Sequence, residues 1–160
     1  MIRRVLTGLP LPCQGLQPKG QVLAALIFGS LLMSTLDIRL FGNQNRFVTS
    51  EAHHSAMVGG IGSGKTQGGA VRALLAAYGQ IGRVKIPAPN LGMVTAPTYP
   101  MLTDSTLRTF REVAGDLIDA RASAFAAPMH VVMRNGSEIL FRSADHPETL
   151  RGPRDRKSVV

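Results

Sequence analysis

The chain has one cysteine, Cys13, among its 160 residues. A single thiol excludes an internal disulfide and any zinc site built on paired cysteines, and it suits a reducing cytosol. Charged residues are sparse at 18%, and acids are the scarcer sign: 10 Asp and Glu stand against 18 Lys and Arg. The resulting net charge of +8 favours an anionic partner, most simply a nucleic acid; a solvated surface of ordinary basic residues is the alternative. With 44% hydrophobic residues the composition excludes a disordered chain, and the length suffices for one domain with its own core. No uncharged apolar run reaches the roughly 20 residues of a membrane-spanning helix. The longest, residues 22–36 (VLAALIFGSLLMSTL), is read as a buried helix; Arg3, Arg4 and Lys19 before it make a signal sequence the competing reading, without a clean small-residue cleavage site. No Ser-His-Asp or Cys-His arrangement, internal repeat or low-complexity tract is present.

What the sequence does have is SAMVGGIGSGKTQGG, residues 55–69. Gly59, Gly60, Ile61, Gly62, Ser63, Gly64, Lys65 and Thr66 fit the phosphate-loop pattern G-x-x-x-x-G-K-[ST]. Glycines let successive backbone N–H groups turn toward an anion. A helix starting near Lys65 adds the positive end of its dipole. Lys65 is the residue to reach the β- and γ-phosphates of ATP, and the Thr66 hydroxyl is the ligand for Mg²⁺. A dinucleotide-binding G-x-G-x-x-G is excluded, because Lys65 stands where its third glycine belongs. The setting is expected to be a short strand over 55–58, the glycine loop, then a helix over 66–78 with Ala70, Val71, Leu74, Leu75 and Tyr78 on one face. The structural alternative is a glycine-rich turn joining strand to helix.

Further along, 91–95 (LGMVT) reads as a buried parallel strand, followed by APTYP, whose prolines predict an extended rigid loop. A helix capped by Thr103 or Asp104 is expected to about residue 118, with Leu107, Phe110, Val113, Ala114, Leu117 and Ile118 inward. Asn135-Gly136 predicts a two-residue hairpin turn within 129–142, pairing Arg134 with Ser137. The tail is polar, then basic, and Ser158-Val159-Val160 reads as the start of another strand. The pattern predicts an α/β domain of P-loop NTPase type: a mostly parallel sheet flanked by helices, with a β-hairpin near the C-terminus. Residues 1–45 form a lead segment, partly irregular with an apolar helix, and 46–160 the P-loop domain.

Three stretches together, GGIGSGKT at 59–66, APTYPMLTDSTLRTF at 96–110 and ILFRSADHPETLRGP at 139–153, resemble the ATPase domain of phage terminase large subunits. The resemblance spans about residues 46–160. It implies a DNA-packaging motor in the host cytoplasm, with ATP and Mg²⁺ as cofactors. Its implied partners are double-stranded DNA, further copies in a ring, a portal and a small terminase subunit; no membrane is implied. Residues 59–66 would be the Walker A loop, and 96–99 would lie near nucleotide and DNA. Arg151 stands at about the interval before the expected Walker B strand where some terminases carry an arginine finger; an ion pair with Asp145, Glu148 or Asp155 is the structural alternative. Gln17 or Gln21 is the candidate for reading the adenine edge, with an ordinary surface role as the alternative. Many terminases carry an arginine inside the loop, where this chain has Ile61 or Ser63. The Walker B Asp-Glu pair and the nuclease domain are expected beyond the chain. It is therefore expected to hold the front of such a subunit, to bind Mg-ATP weakly and to turn over negligibly alone. A DNA helicase fragment and a non-catalytic nucleotide-binding remnant remain the competing readings. His53-His54 lack metal-site spacing. Asp104, Asp116 and Asp119 read as caps and solvated positions. Arg151, Arg154, Arg156 and Lys157 form a run that suits either DNA phosphates or a solvated loop.

Overall fold

A computed structural model describes residues 3–5, 35–145 and 150. Strands β1 (Arg3–Val5) and β2 (Thr35–Asp37) pair antiparallel, Arg3 opposite Asp37. The helix expected over 22–36 thus falls mostly outside the described residues, and Thr35 and Leu36 at its end are strand. Helix α1 (Gly42–Val48) follows. Gln44 takes the Phe41 N–H at 2.8 Å, which satisfies one of the donors that every helix start leaves over.

Helix α2 (Lys65–Ala77) forms where its apolar spacing predicts, and buries Gly68, Ala70, Val71, Leu74 and Ala77. Burying side chains such as Val71 and Leu74 contributes about 1.5–3 kcal/mol each. A small hairpin of β3 (Gln80–Ile81) and β4 (Val84–Lys85) leads to β5 (Leu91–Ala96). The next helix, α3, is continuous but mixed: an α-turn at Tyr99–Met101, a π-helical stretch at Leu102–Leu107, and α-helix over Arg108–Ala114. The hydroxyls of Thr103 and Thr106 in the π-helical stretch donate to carbonyls of the turn before it, Thr103 to Tyr99 O and Pro100 O at 3.1 Å each and Thr106 to Met101 O at 3.4 Å. Such hydroxyls compete with the regular helical ladder. The extended loop expected through Pro100 is corrected here. Pro97 is in the loop, but Pro100 sits in the first turn of α3, where its missing N–H costs nothing, and Thr98 rather than Thr103 or Asp104 caps the helix.

Strands β6 (His130–Val132) and β7 (Glu138–Ser143) complete a mixed three-stranded sheet in the order β5-β7-β6. β5 and β7 are parallel, Leu91 beside Glu138 through Ala96 beside Ser143, and β6 is antiparallel to β7. The fold is mixed α/β; among the described residues parallel pairing is confined to β5 and β7, so the sheet is less parallel than the sequence suggests. The hairpin turn is one residue longer than expected. Met133 pairs with Ser137, and Gly136 takes φ 84°. Three residues, 134–136, therefore make the turn, with a glycine in the left-handed position that such loops use.

The core lies between one sheet face and the helices. Ile139, Phe141 and Val131 meet Leu74, Leu102 and Phe110, and the Phe110 and Phe141 rings pack edge to face at 5.6 Å. That geometry adds about 0.5–1.5 kcal/mol beyond burial. The other face of β5 exposes Leu91 and Met93, so this strand is half-buried rather than buried on both sides. The strand expected at 55–58 does not form. β5 pairs on its β7 side, and 55–58 is placed by side chains instead: Ser55 Oγ bonds Ser50 Oγ at 3.1 Å, Met57 lies against Gly68, and Val58 is 96% exposed. No helix among the described residues is long and apolar enough to cross a membrane.

Candidate phosphate-binding site

The glycine loop runs straight into α2. Gly62 and Gly64 both take φ 76°, a left-handed conformation that an L side chain adopts only under strain. Gly62 has open space around it, so its requirement is purely conformational. Gly64 has a second requirement, since a Cβ there would run into the Gln44 amide. Gly64 is also the residue before the first turn of α2, and no side chain caps that end. The first turn holds no acidic residue. The leading N–H groups of a helix lack intrahelical partners, and the aligned peptide dipoles make that end positive.

Lys65 folds back over the loop it follows. Its ammonium donates to Gly60 O at 2.6 Å, Gly59 O at 2.8 Å and Ser63 Oγ at 3.4 Å. Ser63 N–H in turn donates to Gly60 O at 3.4 Å. Lys65, Thr66, Ser63 and Ile61 are all exposed. The loop thus presents a cation, a hydroxyl and a helix N-terminus on one open surface. A phosphate group fits this donor set: the ammonium exchanges carbonyl oxygens for phosphate oxygens, which accept more strongly because they carry charge. The exposed Thr66, next in sequence, carries a hydroxyl of the oxygen type that a largely hydrated Mg²⁺ takes as a ligand.

Two side chains absent from the sequence expectations make ties to α1 and the segment after it: Gln44 joins α1 to the loop, and Arg72 joins α2 to Phe47 and Ser50. Gln44, 1% exposed, donates through Nε2 to Gly64 O at 3.1 Å. Arg72, on α2, donates to Phe47 O at 2.6 Å and Ser50 O at 3.0 Å, with its guanidinium 5.3 Å from the Phe47 ring centre. The signal for Gln44 is its spacing: it precedes Phe47 and Val48 by three and four residues, which puts it on the inward stripe of α1.

The remaining candidates divide clearly. Ala96 closes β5, Ala144 N–H bonds Ala96 O at 2.9 Å, and Ser143 Oγ bonds Pro97 O at 3.3 Å, so the APTYP segment sits at the carboxyl ends of the two parallel strands. His53 and His54 are exposed, their rings 6.4 Å apart, and no metal-holding group of His, Cys, Asp or Glu occurs among the described residues. Asp104 accepts from Thr103 Oγ1, and Asp119 caps the turn that follows it through the N–H groups of Arg121 and Ala122. Arg151, Gln17, Gln21 and the 158–160 strand lie outside the described residues. A groove of about 890 Å³ beside α3 is lined by Asp104, Arg108, Arg111, Glu112, Phe125 and Arg134 among others, and by no residue of 59–66. Its charges are internally answered in part: Arg108 meets Glu112 at 3.3 Å and Arg111 stacks on Phe125 at 4.4 Å. No protein-family model, curated protein or solved structure matches the chain.

Proposed function

We propose that the chain binds Mg-ATP through residues 59–66 and forms part of the ATPase domain of a phage DNA-packaging motor. The observation that carries the binding is the Lys65 ammonium, lying over its own glycine loop at the uncapped start of a 13-residue helix. In this reading Lys65 pairs with the β- and γ-phosphates, the N–H groups at the start of α2 take phosphate oxygens, and Thr66 ligates Mg²⁺. The arrangement would be that of a P-loop NTPase, with β5 and β7 in its parallel sheet and APTYP at the strand ends, where ligand loops of open α/β sheets gather. The DNA-packaging role rests on the resemblance at 96–110 and 139–153 and on the net charge of +8, which suits a DNA partner. In the longer motor, hydrolysis would drive DNA translocation in the host cytoplasm, with Arg151 as the candidate finger toward a neighbouring subunit.

The test is an equilibrium titration of the chain with Mg-ATP, repeated for Lys65→Ala. Removing a charged hydrogen-bond donor costs about 1.5–3 kcal/mol, so Kd is expected to rise roughly ten- to hundredfold. Lys65 is exposed, so its melting temperature is expected to stay put. Equal binding by both proteins refutes the reading.

A further inference from the structure

The Gly64–Lys65 peptide is held on both sides of its carbonyl. Gly64 O accepts the Gly68 N–H at 2.9 Å, the first helical bond of α2, and also Gln44 Nε2 at 3.1 Å. A carbonyl oxygen has two lone pairs, and both are used. The peptide unit is planar and trans, so the Lys65 N–H points opposite to that carbonyl. Fixing the oxygen from two directions therefore fixes the Lys65 N–H, which points out of the helix start toward the glycine loop.

Gln44 itself has no freedom. It is 1% exposed, and its Oε1 is committed to the Phe41 N–H at 2.8 Å. A flipped amide would set oxygen against oxygen at Gly64 and donor against donor at Phe41, so the hydrogen-bond pattern assigns its orientation. Gly64 is shaped to receive it, since any side chain there would occupy the amide's place.

We infer that Gln44 is the positioning residue of the phosphate loop: it sets the plane of the Gly64–Lys65 peptide and so aims the leading N–H of α2 at the bound phosphate. The inference rests on the reading of 59–66 as a phosphate site. Docking of α1 onto α2 is a separate matter, because Arg72 makes its own bonds to Phe47 O and Ser50 O without touching the loop. The two roles can therefore be separated.

The experiment uses the full chain and two probes, inorganic pyrophosphate and Mg-ATP, with Gln44→Leu, Gln44→Glu and Arg72→Met. The glutamate variant keeps the acceptor for Phe41 and lacks the donor for Gly64, and it serves if the leucine variant does not fold. Losing one buried hydrogen bond that orients the site is expected to weaken both probes by roughly tenfold in either Gln44 variant. Arg72→Met is expected to lower the melting temperature and leave both affinities unchanged. The Lys65 amide resonance of the ligand-free protein is expected to shift in the Gln44 variants and not in Arg72→Met. Wild-type affinity with an unmoved Lys65 resonance overturns the inference, as does an equal loss of affinity in Arg72→Met. If the wild type binds neither probe, the phosphate reading fails by itself, and the ligand-free Lys65 resonance still decides whether Gln44 holds this peptide.

Discussion

The two ends of α2 are built on opposite plans. At the C-terminus, side chains from two other parts of the chain close on the last carbonyls. Asn90 Nδ2 donates to Ala76 O at 2.8 Å, Asn135 Nδ2 to Ala77 O at 2.8 Å, and Ser137 Oγ to Ala77 O at 2.7 Å. The hairpin turn is thereby locked to the helix. At the N-terminus the preceding residue is a left-handed glycine, no side chain caps the helix, and the Gln44 amide goes to a carbonyl rather than to an N–H. Orphan carbonyls at one end are satisfied from within the protein, while the positive end faces an exposed loop. The first end is a structural joint. The second, on the proposed reading, is a site that a ligand completes.

Substitutions at the joint sharpen this contrast. Ser137 is fully buried, and its hydroxyl also accepts the Asn90 N–H at 3.1 Å. Ser137→Ala is expected to lower stability by about 1–3 kcal/mol, because it strands buried backbone groups. Denaturant unfolding checks that loss, and an Mg-ATP titration of the same variant is expected to give the wild-type Kd. A large fall in affinity would erase the distinction between the two ends.

A smaller effect is expected one residue past the helix. Burial pushes the Tyr78 phenol above its ordinary value of 10.0, against a partial offset from the Arg134 charge. Its hydroxyl donates to Leu117 O at 3.4 Å. Above pH 10 the unfolded chain loses a proton that the folded chain still holds. Stability contributed by the neutral phenol is therefore present below that pH and declines as pH rises toward the folded value. An ultraviolet titration of Tyr99→Phe, which leaves Tyr78 as the sole tyrosine, is expected to show ionisation later in the folded than in the unfolded protein.

The sequence was most legible where periodicity and burial agree. Ala70, Val71 and Leu74 mark α2, and Leu107, Phe110, Val113 and Ala114 mark the later part of α3. The spacing of Gly59, Gly64, Lys65 and Thr66 marked the glycine loop that runs into α2. Local rules misled where tertiary contacts chose between options. Asn135-Gly136 suits a two-residue turn, yet Asn135 and Ser137 are both claimed by the end of α2, and the turn takes three residues. The apolar run at 55–58 suits a strand but has side-chain partners in place of a ladder. Pro100 is a helix breaker by rule and a first-turn residue in fact. Gln44 escaped because its spacing marks the inward stripe of α1 but not a bond to a residue 20 positions on.

The central claim is that the open end of α2 and its glycine loop receive phosphate. Backbone amide resonances followed during a titration of the chain with Mg-ATP test it most directly. The account predicts that the largest shifts fall on Gly62, Ser63, Gly64, Lys65 and Thr66, with the Lys65 side-chain signal moving as its ammonium leaves the Gly59 and Gly60 carbonyls. Shifts centred instead on the groove of Arg108, Arg111 and Phe125, with the loop unmoved, would contradict it.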